Sequence, residues 1–174
     1  TDVYSQGMPG WCVALGLLRN LEPVAGIIYA PAWGPKYGNL LYTEEGGAVY
    51  HNGMKYDIEK KESDSMHILI PSSIHKEYDY SSFSGKIRNT GSSIISLSGL
   101  LLHQSVTGVI INRGYIWDMA AADAIIRKFG FMPEYLSGEK IDYSEITDRN
   151  RQKDYVVCGY SATVSEIRKN FIRK

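Results

Sequence analysis

The sequence predicts an α+β/α/β chain, with an antiparallel sheet first and an α/β layer with a mixed, partly parallel sheet after it. Three observations predict this. Apolar, strand-like runs at 11–18, 23–29, 40–43 and 48–50, punctuated by turn signals, make the first third read as antiparallel β. After residue 66, short Val/Ile/Leu runs alternate with segments whose apolar residues recur at helical spacing, as expected for strands that cross over through helices. Between the two lies 56–65, a charged stretch nearly free of apolar residues and the best candidate linker. The expected division is therefore an antiparallel-sheet domain over 1–60 and an α/β domain over 66–174.

The elements follow in order. Residues 11–18 and 23–29 are apolar strands rich in Val, Ile and aromatics, split by the turn-like Arg19-Asn20-Leu21-Glu22. Shorter strands at 40–43 and 48–50 join through Glu44-Glu45-Gly46-Gly47, and Asn52-Gly53 marks a further hairpin turn. In the strand at 11–18, Trp11, Val13, Leu15 and Leu17 fall on one face and Cys12, Ala14 and Leu18 on the other. Neither face is polar, so this strand expects cover on both sides. Beyond the linker, 66–70 reads as a strand ended by Pro71-Ser72-Ser73, and 92–102 as a helix carrying Ile94, Ile95, Leu97 and Leu101. A strand at 108–112 leads to a helix at 117–129, and a strand at 155–158 leads to a helix at 162–172. That last helix places Val164, Ile167, Phe171 and Ile172 on one face. The polar stretch 138–154 reads as a surface excursion.

Composition excludes several classes. An apolar fraction of 44% supports a buried core rather than disorder. Lys+Arg and Asp+Glu balance at 19 each, which argues against a general nucleic-acid or membrane-surface binder. No window approaches eighteen apolar residues and no signal-peptide pattern opens the chain, so a soluble, cytoplasmic protein with no membrane partner is expected. Cys12 and Cys158 each lie in apolar stretches and read as buried thiols rather than a disulfide. The histidines His51, His67, His75 and His103 are scattered, with no zinc spacing.

The chemistry gathers at two helix starts. Asp118 stands where a loop turns into a helix, in Tyr115-Ile116-Trp117-Asp118-Met119-Ala120-Ala121. Upstream, Arg88-Asn89-Thr90-Gly91-Ser92-Ser93 puts small polar residues at another helix start. A carboxylate at one N-terminus and open amides at the other suit a divalent cation and a phosphate. Taken singly, each is an ordinary helix cap.

Together these motifs resemble the inositol monophosphatase family of metal-dependent phosphatases. Trp117-Asp118-x-Ala120-Ala121 resembles its C-terminal metal signature, and Arg88-x-x-Gly91-Ser92 the segment before its inner helix. Pro23-Val24-Ala25-Gly26-Ile27-Ile28-Tyr29-Ala30-Pro31 and Gly47-Ala48-Val49-Tyr50-x-Asn52-Gly53 resemble the strands between. The resemblance implies the layered sandwich of that family, Mg²⁺ as cofactor, a small phosphorylated substrate and a homodimer. It implies Asp118 as a metal ligand, Gly91, Ser92 and Ser93 beside the substrate, and Arg113 near a second phosphate or a sugar hydroxyl. Where the family often carries a Glu for an inositol hydroxyl, this chain has Ile111-Asn112, which puts inositol itself in question.

The chain departs from the family at its start. The family's main metal motif, Asp-Pro-x-Asp-Gly-Thr, would end where this chain begins with Thr1-Asp2-Val3-Tyr4. The expectation is a C-terminal portion whose N-terminal segment, with the other metal ligands, is missing. Thr1 would by resemblance orient the attacking water, and the chain alone should be nearly inactive. One carboxylate is a poor hold on a hard cation that prefers octahedral oxygen ligation. Two other readings stay open. A chain that starts with Thr also fits an N-terminal-nucleophile hydrolase, supported by that one residue. A non-catalytic assembly module would keep the fold without the site. Arg88 reads as a structural ion-pair partner, and Glu44-Glu45 as solvated turn residues.

Overall fold

Two sheets sandwich a pair of helices, and a third helix closes the far side. A computed structural model describes residues 2–58 and 66–174, apart from the side chain of Asp2. Thr1 and the greater part of the expected linker, 59–65, lie outside the described residues. A short helix α1 (Asp2–Ser5) opens the chain, and β1 (Val13–Arg19), β2 (Glu22–Ala30), β3 (Asn39–Thr43), β4 (Val49–His51) and β5 (Met54–Lys55) form an antiparallel meander. The turns are those the sequence predicts. Asn20 and Leu21 take φ of 50° and 64°, and Asn52 and Gly53 take 50° and 84°, the paired positive values of a hairpin turn that matches strand twist.

The second sheet runs β10-β11-β9-β6-β8, from β6 (His67–Leu69), β8 (Lys86–Arg88), β9 (Val106–Ile111), β10 (Glu134–Tyr135) and β11 (Val156–Gly159). β6 pairs parallel with β8 and β9, whereas β11 is antiparallel to β9 and to β10. It is therefore the mixed sheet that alternating strands and helices imply. Every residue of β9 is buried, because helices cover both faces. Helices α2 (Ser93–Leu102) and α3 (Ala120–Ile126) fill the space between the sheets. One core joins Ile28, Leu41 and Val49 of the first sheet to Leu97 and Ile125 of the helices and Val109, Ile111 and Val156 of the second. On the second sheet's other face, Ile68, Ile110 and Val157 pack against Ile167 of α4 (Ser161–Asn170).

Helix α3 sits close on the first sheet because glycines let it. Gly16 and Gly26 oppose each other in the β1–β2 register, and a Cβ on Gly16 would stand 2.9 Å from the Ala121 amide nitrogen. The Ala120-Ala121 pair is the matching small surface on the helix. The opposite face of that hairpin is apolar and open: Val13, Leu15, Leu17 and Ile27 are 60%, 67%, 54% and 47% exposed. The strand pattern that asks for cover on both faces finds it, among the described residues, on one face only.

Several boundaries differ from the sequence expectation. The helix expected over 117–129 is a 3₁₀ turn (Ile116–Asp118), then α3, then a second 3₁₀ turn (Arg127–Phe129) closed by Gly130 at φ 82°. Met119 breaks it at φ −144°, with its side chain fully buried in the core. Helix α4 stops at Asn170. Phe171 turns out of it to pack on Tyr80 and Phe83, and Ile172 leaves the expected face to join β12 (Ile172–Arg173) against β7 (Tyr78–Asp79). The excursion at 138–154 is not merely surface, since Tyr143, Ile146 and Gln152 are buried. The first residues of the expected linker are anchored too: Tyr56 stacks edge-on against His51 and Phe129, and its hydroxyl donates to the Leu101 carbonyl.

Candidate active site

The start of α2 and the turn before α3 face each other across a cleft of about 1040 Å³. Gly91, Ser92 and Ser93 line one wall and Arg113 to Asp118 another, with Val3, Trp11 and Cys12 between them. The sequence-predicted residues thus converge, with the exception of Thr1, which lies outside the described residues. Its near neighbour Val3 does reach the cleft and packs against Gly91.

The α2 wall is built by a chain of small polar groups. The Asn89 side chain accepts from the Gly91 amide at 2.6 Å, and Gly91 takes φ 80°, where a Cβ would also collide with Val3. Ser92 caps the helix: its Oγ accepts from the Ile95 amide at 3.4 Å. Thr90 and Ser96 share a buried hydroxyl pair at 2.6 Å, which fixes the approach to the helix. Ser92, Ser93 and Ile94 line the cleft at the positive end of the α2 dipole, an end that favours anions. Cys12 stands beside Ser92; burial raises its thiol above the ordinary value, so it stays protonated at neutral pH.

Asp118 is half-buried on the opposite wall. Its Oδ2 accepts from the Tyr115 amide at 2.7 Å, and the Asp118 amide donates back to the Tyr115 carbonyl at 2.9 Å. Gly114 lies so close that a Cβ there would stand 2.6 Å from Oδ2. The residue caps its own turn and also lines the cleft. Gln152 locks this turn from behind. It is 2% exposed, its Oε1 accepts from the Gly114 amide at 3.0 Å, and its backbone N–H donates to the Gly114 carbonyl at 2.9 Å. The sequence reading missed Gln152, and no local pattern marks it.

Arg113 lines the cleft, but its guanidinium pairs with Glu77 and lies 5.4 Å over the Tyr155 ring. Arg88 makes no ion pair among the described residues. It turns back onto the Ile87 carbonyl at 2.8 Å, correcting the expectation of a structural pair. Glu45 in the β3–β4 turn pairs with Arg19 at the end of β1, and Glu44 stays exposed in the turn. A metal needs more than this. Among the described residues, no group of three or more His, Cys, Asp or Glu side chains is placed to hold an ion. Asp118 alone does not make a metal centre.

Residues 1–166 match the Inositol monophosphatase family. The chain belongs to that family. It is 24% identical over 162 residues to the Fructose-1,6-bisphosphatase/inositol-1-monophosphatase of Aquifex aeolicus, covering 87% of this chain and 59% of that protein. It is 28% identical over 151 residues to the Inositol-1-monophosphatase ImpA of Mycolicibacterium smegmatis, covering 78% of this chain and 52% of that one. The chain spans a little over half the length of these curated relatives. The inositol monophosphatase from Anabaena superposes with a TM-score of 0.73 at 18% identity, over 98% of this chain and 69% of that structure. A protein from Pyrococcus horikoshii, described as similar to inositol-1 monophosphatase, gives 0.73 at 19% identity. These likenesses show the layered fold the sequence predicts. No helix among the described residues is long and apolar enough to cross a membrane.

Proposed function

We propose that this chain is the C-terminal portion of a Mg²⁺-dependent phosphatase that hydrolyses phosphate monoesters of small molecules such as sugar, inositol or nucleotide phosphates. The observation that carries it is the meeting of the α2 N-terminus with Asp118 across one cleft. The helix amides supply a seat for phosphate oxygens. Asp118 supplies one carboxylate toward the metal. The remaining metal ligands belong, in this reading, to an N-terminal segment of the longer protein, which also covers the open face of β1 and β2. Thr1 would orient the attacking water by family resemblance. Family membership favours this reading over an N-terminal-nucleophile hydrolase, which rests on Thr1 alone. A cytoplasmic homodimer completes the proposal.

The test is phosphate release by the full-length protein with Mg²⁺, compared with the 174-residue chain. The full-length protein should turn over small phosphate esters and the isolated chain should not. Asp118→Asn should abolish turnover in the former. In the isolated chain it should cost at most ~0.3–1 kcal/mol, because Asn still caps Tyr115 and only the dipole interaction is lost. An active full-length Asn variant would reduce Asp118 to a cap.

A further inference from the structure

Four cations line the cleft, and they are not equivalent. Arg113 is paired with Glu77. Lys153 reaches Glu139 at 2.6 Å and Glu145 at 3.7 Å. Arg151 has no carboxylate within ion-pair distance among the described residues, and neither has Lys76. Arg151 is nonetheless held in place. Its guanidinium carbon lies 5.0 Å from the centre of the Tyr115 ring, and that ring stacks on Trp117 at 4.6 Å. The next residue, Gln152, is the buried clamp on the Gly114 backbone. A guanidinium seated on an aromatic face keeps its in-plane donors pointing away from the ring, ready for an oxyanion.

Tyr115 connects this cation to the chemistry. Its amide donates to Asp118 and its ring carries Arg151, so carboxylate and guanidinium lie within roughly 13 Å of each other by covalent reach. Resting on the phosphatase reading, in which Asp118 marks the ester to be cleaved, we infer that Arg151 is a specificity-determining residue. It binds a second anionic group, phosphate or carboxylate, at the far end of the substrate. A neutral polyol offers this guanidinium no charge to pair with. The family resemblance implies Arg113 for this task; its ion pair with Glu77 favours Arg151 instead.

The experiment uses the full-length protein as wild type, Arg151→Ala and Arg151→Lys. Substrates are a sugar bisphosphate, a phosphorylated sugar acid and the matching sugar monophosphate, with Mg²⁺ present. Arg151→Ala should lose about ten- to a hundredfold in kcat/KM on the doubly anionic substrates, the scale of a hydrogen bond to a charged group, mostly through KM. On the monophosphate it should lose less than about threefold, and Arg151→Lys should recover part of the selectivity, since it keeps the charge without the fork. Equal losses on all substrates, or no loss, overturn the inference. If the wild type releases no phosphate from any ester, the phosphatase reading fails by itself. Arg151 is then decided by calorimetric binding of the bisphosphate without metal. Unchanged affinity in Arg151→Ala overturns the inference, and a selective drop relative to the monophosphate supports it.

Discussion

The hydroxyl of Tyr143 donates to Oδ2 of Asp123 at 2.6 Å inside the core, across a separation of 20 residues. Asp123 is fully buried on α3, and Arg127 donates to its other oxygen at 2.6 Å while also reaching Glu22 of the β1–β2 hairpin at 3.0 Å. Burial pushes the Asp123 carboxyl up, and the two donors pull it back toward the charged form. This network ties the 138–154 segment to the helix that follows Asp118. The same segment then delivers Gln152 to Gly114 and Arg151 to the cleft. A polar stretch is thereby made part of the site wall.

Removing one donor should therefore be felt globally. Tyr143→Phe should cost ~1.5–3 kcal/mol, the range for a hydrogen bond to a charged group. Asp123→Ala should cost ~3–5 kcal/mol, because it leaves the Arg127 charge and the Tyr143 hydroxyl without their buried acceptor. Urea unfolding measures both. Midpoints equal to wild type would show that solvent, not this network, satisfies Asp123.

The glycine pair under α3 makes a steric prediction. A Cβ on Gly26 would overlap the Ala121 carbonyl oxygen, which belongs to helix backbone and cannot swing aside. Gly26→Ala should cost ~1–3 kcal/mol by overpacking. Gly46→Ala gives a control without steric contact, because nothing lies within 4 Å of a Cβ there, although its φ of 67° makes it a strained site. A Gly26→Ala protein as stable as wild type would mean that α3 rides further from the sheet.

His51 gives the pH dependence its sign. Burial lowers its pKa below the ordinary value, and its Nε2 lies 2.7 Å from Oδ1 of the buried Asn39. As pH falls through about 6.5, the unfolded chain takes up the proton before the folded one does. Stability is thus full above that pH and is lost on the way down toward the folded pKa. Urea midpoints at pH 7.5 and 5.5 should fall with acidity. In His51→Gln the part of that fall due to this residue should vanish; an identical pH slope in the variant assigns the effect elsewhere.

The legible parts of the fold are those with a long enough period. Helix α2 and strands β1 to β3 carry apolar patterns over several residues, and the later hairpin turns carry glycine signals, Gly46-Gly47 and Asn52-Gly53. Both helix starts of the site were legible from cap chemistry. Strands β7, β10 and β12 span two residues each and have no period to read. Partners far apart in sequence were invisible: Arg113 with Glu77, 36 residues away, and Gln152 with Gly114, 38 away. Polarity misled at 138–154, because Tyr143 and Gln152 bury polar atoms that are satisfied only by tertiary contacts.

The open face of the first sheet yields the last prediction. Val13, Leu15 and Leu17 point away from α3, beside Ile27 and Tyr29, while Ala14 and Leu18 pack inward. β1 is also an edge strand, so it offers unpaired backbone groups along with the apolar face. Edges of this kind recruit other chains unless they are charged or covered. The isolated chain should therefore self-associate in sedimentation velocity and bind a hydrophobic dye. Leu15→Lys with Leu17→Glu should suppress both with little change in stability, since both side chains are already exposed and surface changes fall within about ±0.5 kcal/mol. In the longer protein proposed above the same pair should destabilise strongly, because an N-terminal segment lying on this face would bury the charges. A clean wild-type monomer that binds no dye would sink the packing argument. A full-length double variant as stable as its parent would show that nothing covers this face.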